Sequence, residues 1–142
     1  MKKQHIFLTL LPFLIFTIMG ASPVQKKAEE SLRKRVEGLM QAKVDGKWDV
    51  VYTYYDTGFR KAASQENFTK RSGRMDFKSF TIESLEILPS GNEATVKLKT
   101  DISMQGFDFK GKQEKQHWIK QDGEWFQKVN IGANPFAPKK KK

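Results

Sequence analysis

A long run of strict alternation between Ala94 and Met104 constrains the fold more than any other feature. Apolar residues or threonine fill every second position, and polar residues fill the positions between them. Successive side chains of a strand point to opposite faces, so this run predicts an antiparallel strand with one buried face. The chain must therefore contain a sheet, and something must cover that face.

Further strand patterns lie on both sides of this run. Two short alternating stretches before it are out of phase with each other, which predicts a β-bulge between them. An Asp-Gly pair after it predicts a tight hairpin, because Asp-Gly supplies the positive φ of a primed turn. We expect strands over 80–87 with a bulge at Glu83 and Ser84, over 94–104, over 107–120 with an interruption at Gly111, and over 125–131 after the Asp122-Gly123 turn.

The residues before position 75 have a helical texture. Ser22 and Pro23 predict a helix start, and apolar residues at spacings of three and four continue to a stop at Asp45-Gly46. Residues 47–55 have strand propensity but helical spacing, and shorter helical segments follow over 59–63 and 64–72. Helices that precede an antiparallel meander of about four strands predict an α+β fold, with the helices packed on one face of the sheet.

The first 21 residues follow the pattern of a secretory signal peptide. Lys2 and Lys3 precede an apolar stretch over 6–19, and Gly20 and Ala21 follow it. A membrane span needs about 20 apolar residues, and this stretch is shorter and contains a proline. We therefore predict cleavage near Ala21 and a periplasmic or secreted protein.

The charge of the chain is strongly positive, with a formal net value of +10, and there is no cysteine. The absence of cysteine excludes disulfides, thiolate metal sites and cysteine nucleophiles. Part of the positive charge lies in the terminal run Lys139, Lys140, Lys141 and Lys142, which follows two prolines. We predict a signal peptide over 1–21, one domain over 22–132 and a disordered basic tail over 133–142 that makes weak contact with anionic surfaces.

Several local patterns resemble the NTF2-like, or cystatin-like α+β cone, superfamily, in a small secreted bacterial form. The matching stretches are residues 45–48 and 52–55, Phe59 and residues 64–68, and the hairpin over residues 118–126, which a tryptophan flanks on each side of its turn. The resemblance implies helices packed in the concave face of a curved antiparallel sheet, and it favours helix over strand for 47–55. The superfamily includes isomerases, dehydratases, cyclases and transport adaptors, so the fold does not determine the function.

Few residues could carry catalysis. His117 is the one histidine beyond the predicted signal peptide, so we expect no metal site and no cofactor. Enzymes of the superfamily place acids, tyrosines or histidines inside the cone, which makes Asp56, Asp101 and Asp108 the acids to consider. Asp101 is out of phase with the apolar positions of its strand, so it should point away from the buried face. We therefore name no catalytic residue. Whether the chain is an enzyme stays open, and the sequence favours a chain that is not one.

The sequence is more consistent with binding. Six residues are candidates to line a pocket at the mouth of the cone, although helical spacing explains most of them equally well as core: Trp48, Tyr52, Tyr55, Phe59, His117 and Trp118. We predict non-catalytic binding of a small apolar ligand or a protein partner. The alternatives are an isomerase or dehydratase that uses Tyr and Asp in the cone, and a basic module on an anionic envelope polymer or membrane. We expect no specific nucleic acid partner and leave a homodimer open.

Overall fold

The computed structural model describes residues 22–129, so the predicted signal peptide over 1–21 and the basic tail over 133–142 lie outside the described residues. Within residues 22–129, four helices precede four strands. They are α1 (Pro23–Val44), α2 (Trp48–Thr53), α3 (Thr57–Ala62), α4 (Gln65–Ser72), β1 (Met75–Ile87), β2 (Glu93–Met104), β3 (Phe107–Gln121) and β4 (Glu124–Lys128). The predicted α+β order is confirmed. No helix within 22–129 is both long and apolar enough to cross a membrane.

The start of α1 is the one that the sequence predicts. The Ser22 side chain accepts a hydrogen bond from the Gln25 backbone N–H, and Pro23 occupies the first turn. The apolar face of the helix carries Leu32, Val36, Leu39 and Met40, all fully buried. The spacing of three and four residues therefore becomes the stripe that packs against the sheet.

Asp56 holds the short helices to the end of the sheet. Its Oδ1 accepts hydrogen bonds from the backbone N–H groups of Gly58 and Phe59, which caps α3. Its Oδ2 accepts the N–H of Val129, just beyond β4. The adjoining backbone pairs directly with β4, since the Asp56 N–H donates to the Gln127 carbonyl at 3.0 Å. All these donors are backbone groups, so this buried carboxylate has a structural role.

The sheet is an antiparallel meander in the order β1-β2-β3-β4, and it is curved around the helices. The alternation over 94–104 becomes the burial pattern of β2, whose helix-facing residues are buried. The register of β1 shifts between Ile82 and Ser84, where the sequence predicts a bulge, and shifts again between Phe77 and Ser79. Each bulge changes which side chains face inward, so that Phe77, Phe80, Ile82, Leu85 and Ile87 all lie opposite helix-facing residues of β2.

Strand β3 is continuous, so the predicted interruption at Gly111 is wrong. The extra residue forms a bulge opposite Asp101, and the Gly111 N–H donates to Asp101 Oδ1 at 2.7 Å. Gly111 has a φ of +62°, which glycine adopts without a steric penalty, and this lets the strand bulge instead of ending. Asp101 also accepts from the Ser79 hydroxyl and points away from the helices, as its phase predicts.

The β3–β4 hairpin has the predicted primed turn. Asp122 and Gly123 have φ values of 51° and 82°, and positive values at both central residues define that turn type. The turn brings Trp125 opposite Lys120 on the helix face of the sheet, where Trp125 is fully buried. A second hairpin, with positive φ at Gln105 and Gly106, joins β2 to β3 at the other end of the sheet.

Candidate binding site at the open end of the sheet

Four of the six pocket candidates belong to one aromatic cluster, which surrounds Phe68 of α4. The Phe68 ring centroid lies 6.2 Å from that of Trp48, 5.8 Å from Tyr52, 5.4 Å from Tyr55 and 5.7 Å from Phe59. Most of these pairs meet edge to face, the geometry that aromatic quadrupoles favour. Tyr52 is half-buried and the other rings are buried. The cluster joins the three short helices to one another, and Trp48 carries it on to Phe77 of β1.

The two tyrosines of the cluster have different surroundings. The Tyr52 hydroxyl lies 2.9 Å from the Arg60 carbonyl and 2.8 Å from that of Ala63, so it fastens α2 to the end of α3. Tyr55 is buried. Burial raises the pKa of its hydroxyl above the ordinary value of 10.0, the ammonium of Lys43 acts against that rise, and the carboxylate of Glu114 adds to it. Tyr55 therefore remains a neutral phenol at neutral pH.

The raised pKa of Tyr55 predicts a loss of stability at high pH. The unfolded chain releases this proton near pH 10, whereas the folded chain keeps it to higher pH. The contribution is therefore fully present below pH 10 and is lost as the pH rises through the folded-state pKa, with a slope of at most about 1.4 kcal/mol per pH unit. Urea titrations at several pH values measure this slope, and Tyr55→Phe should reduce it. An equal slope in both proteins would contradict the prediction.

Trp118 belongs to a chain of polar contacts along the inner face of β3. Its indole Nε1–H donates to Gln116 Oε1 at 3.0 Å, and Gln116 Nε2–H donates to Glu114 Oε1 at 2.8 Å. The Lys43 ammonium, from the last turn of α1, lies 3.8 Å from the same carboxylate oxygen. Lys43 is 6% exposed and Glu114 is 29% exposed, whereas Trp118 and Gln116 are buried. These four residues, the polar ladder, lead from the deep core to the rim of the sheet.

His117 lies on the opposite face of the sheet from the other five candidates. Strand neighbours point to opposite faces, so a buried, helix-facing Trp118 puts His117 outside. There its Nε2 lies 3.1 Å from Glu93 Oε2, and both side chains are well exposed. The imidazole and the cone interior therefore cannot form one site.

The three acids considered for catalysis are held by other groups. Asp56 and Asp101 accept the hydrogen bonds described above, and Asp108 accepts one from Ser103. A general acid or base needs a carboxyl group that faces a substrate, and each of these groups has a structural partner instead. Among residues 22–129, no group of three or more His, Asp or Glu side chains is placed to hold a metal ion.

The chain matches no protein-family profile and no curated protein, so the comparison depends on solved structures. An NTF2-like protein of unknown function from Pseudomonas putida KT2440 superposes with a TM-score of 0.52 at 16% identity. The match covers 72% of this chain and 82% of that one. The fold is NTF2-like. At this identity the likeness establishes the fold alone, and it does not indicate what the chain binds or does.

Two other solved structures share the architecture. A SEC-C motif containing protein from Psychrobacter arcticus superposes with a TM-score of 0.58 at 10% identity, over 71% of this chain. The match spans only 60% of that protein's length. One from Rhodopseudomonas palustris gives 0.53 at 13% identity, over 73% of this chain and 88% of that one. The NTF2-like fold thus occurs in chains that share little sequence with this one.

The interior of the NTF2-like cone is filled where the helices cover the sheet. Nine fully buried side chains from α1 and the strands meet there: Leu32, Val36, Leu39, Met40, Ala94, Val96, Leu98, Trp118 and Trp125. Met40 Sδ even approaches Gln116 Nε2, at 3.5 Å. A ligand in this part of the cone would have to displace packed side chains, which costs stability.

The cover ends towards the β2–β3 hairpin, and apolar side chains are exposed there. Cross-strand register aligns Met75, Met104 and Phe107 in one row, and Phe77, Ile102 and Phe109 in the next. Phe107 is 69% exposed, Phe109 45% and Met104 40%. We call Met104, Phe107 and Phe109 the apolar tip. They continue the inner face of the NTF2-like sheet beyond the polar ladder, where no described helix covers them.

Sequence reasoning missed the apolar tip. The signal was present, because Phe107 and Phe109 follow the turn at Gly106 and lie on either side of Asp108. The pattern predicts a strand there, but it cannot tell how far along the strand the helices reach. The sequence analysis also did not predict a groove of about 420 Å³ between α1 and the β3–β4 hairpin. It is lined by charges of both signs from Lys27, Glu30, Lys34, Arg35 and Glu124.

Proposed function

We propose that this chain is an exported, non-catalytic NTF2-like binding domain that contacts its partner through the apolar tip. The observation that carries the proposal is the exposure of two phenylalanines and a methionine at one end of a sheet face whose other apolar residues are buried or partly buried. Exposed aromatic side chains that cluster on a soluble domain are typical of contact sites. Export depends on the signal-peptide pattern of the first 21 residues.

The arrangement of the interior favours binding over catalysis. The space in which a substrate would sit holds packed apolar side chains, and the partly exposed Glu114 is contacted by the ammonium of Lys43 and the amide of Gln116. Both neighbours are hydrogen-bond donors that face the carboxylate. Because these groups occupy it, the carboxylate is poorly placed to take a proton from a substrate. The pocket proposed at the aromatic cluster would need those buried rings to separate.

An apolar fluorescent probe tests this proposal. We expect anilinonaphthalene sulfonate to bind the chain from Ser22 to Lys142, which contains all eight elements of the fold, and to bind the double variant Phe107→Ser, Phe109→Ser at least tenfold more weakly. Val24→Ser is the matched control, since Val24 is an exposed apolar residue at the start of α1. Equal binding by the double variant would locate the apolar site elsewhere, for example inside the cone, and would overturn the proposal.

A further inference from the structure

We propose that the apolar tip docks onto an anionic lipid bilayer, an inference that rests on the proposed binding function and names its partner. The apolar tip would insert among the acyl chains at the interface, and the cations around it would contact the lipid phosphates. Two observations carry this inference: the shape of the exposed surface and the charge that surrounds it.

The shape of the surface suits a bilayer. Phe107 follows Gly106 directly in the β2–β3 turn, and Met104 precedes the same turn, so these side chains lie at the extremity of a hairpin. A peptide helix or strand binds an apolar groove or a sheet edge with side-chain pockets, whereas a bilayer interface accepts a small protruding apolar surface. Exposure rises steadily along the inner face of β3, from the buried Trp118 through Glu114 to Phe107.

The charge around the apolar tip is complementary to anionic lipid. Four exposed cations belong to the segments that lead into or form this end of the sheet: Arg74 directly precedes Met75, the strand partner of Met104, Lys110 and Lys112 follow Phe109 on β3, and Lys70 lies in the last turn of α4. None of the four forms an ion pair with a residue in 22–129. Of the acids in these strands, Asp76 pairs with Lys78, and Asp108 accepts a hydrogen bond from Ser103 but keeps its charge, so the cations of these segments outnumber their unpaired acids. Long cationic side chains can extend to phosphates while their stems cover the apolar surface.

Vesicle sedimentation tests the inference with the chain from Ser22 to Lys142. We expect binding to vesicles that contain about a third phosphatidylglycerol, little binding to vesicles of phosphatidylcholine alone, and weakening as salt screens the charges. Phe107→Ser with Phe109→Ser should lower the partition coefficient at least tenfold, which corresponds to about 1.4 kcal/mol. Unfolding midpoints check that these exposed substitutions leave the fold intact.

Matched variants separate the contributions of the apolar tip, its cations and the terminal lysines. Val24→Ser should bind like the parent. Lys110→Gln with Lys112→Gln should weaken binding and flatten its salt dependence more than Lys26→Gln with Lys34→Gln, which removes the same charge from α1. A chain truncated after Pro138 lacks the four terminal lysines, and it should keep its dependence on Phe107 and Phe109.

The outcomes distinguish this inference from the proposed function. If the phenylalanine variant binds vesicles as well as the parent, or the parent binds none, the bilayer proposal is wrong. If the fluorescent probe still requires the phenylalanines in that case, the binding function stands and the partner is something other than lipid. Sedimentation of the parent as a dimer, abolished by the same variant, would identify a second copy as the occupant. If the parent chain binds neither vesicles nor the probe, both proposals are overturned.

Discussion

Replacing Trp125 by alanine is expected to lower the free energy of unfolding by about 3–5 kcal/mol, the usual cost of removing a large aromatic side chain from a core. Trp125 is fully buried on β4, and the Lys120 ammonium lies 5.1 Å from its ring centre. Its carbonyl accepts a hydrogen bond from Arg35 Nε of α1 at 2.9 Å. This backbone contact persists in the variant, so the loss reports the ring alone.

Trp125→Phe is the informative control. The buried Nε1–H of Trp125 has no hydrogen-bond partner among the described residues, and an unsatisfied buried donor costs stability. Phenylalanine removes that donor and keeps most of the apolar ring, so we expect a cost below about 1.5 kcal/mol. Urea denaturation measures both variants, and Trp48→Ala should resemble Trp125→Ala because Trp48 is also buried. Unchanged midpoints in both alanine variants would mean that these rings do not join the helices to the sheet.

Local patterns in the sequence predict most of the fold. The alternation of β2, the cap at Ser22 and the primed turn at Asp122 each depend on residues within a few positions of one another. Residues 48–53 form a helix despite their strand propensity, and their helical spacing places Trp48 and Val51 in the core. Short-range periodicity and turn chemistry were sufficient for β2, the cap and the turn, whereas the choice of helix for 47–55 also depended on the resemblance to the superfamily.

Local patterns fail where tertiary contacts decide. Gly111 suggests a break, but the carboxylate of Asp101 on the neighbouring strand accepts its N–H and keeps the strand continuous. The local sequence predicts that Phe107 is an ordinary strand residue. The residues next to it in the sequence do not indicate how far α1 extends across the sheet. Lys43 looks like a solvated lysine near a helix end, yet it is buried against Phe77 and Glu114. Each of these facts depends on residues that are far apart in sequence.

The polar ladder leads to the second large effect. Glu114→Leu is expected to cost about 2–4 kcal/mol, because it leaves the Lys43 ammonium 6% exposed without its carboxylate. We place the value towards the lower end for buried ion pairs, since Glu114 is 29% exposed and the two atoms are 3.8 Å apart. Lys43→Met should cost less than about 1 kcal/mol, because the partly exposed carboxylate keeps water and the Gln116 amide.

The double variant Lys43→Met, Glu114→Leu decides what the ladder is for. If the charges only satisfy each other, removing both should recover most of the loss from Glu114→Leu, and the coupling between the two sites should be about 1–3 kcal/mol. Urea denaturation of the parent, both single variants and the double variant measures that coupling. No recovery would mean that the Glu114 carboxylate is needed for a contact other than Lys43, such as the hydrogen bond that it accepts from Gln116. Recovery would mean that Glu114 serves mainly to neutralise Lys43. The apolar tip would then remain the better candidate for the contact surface.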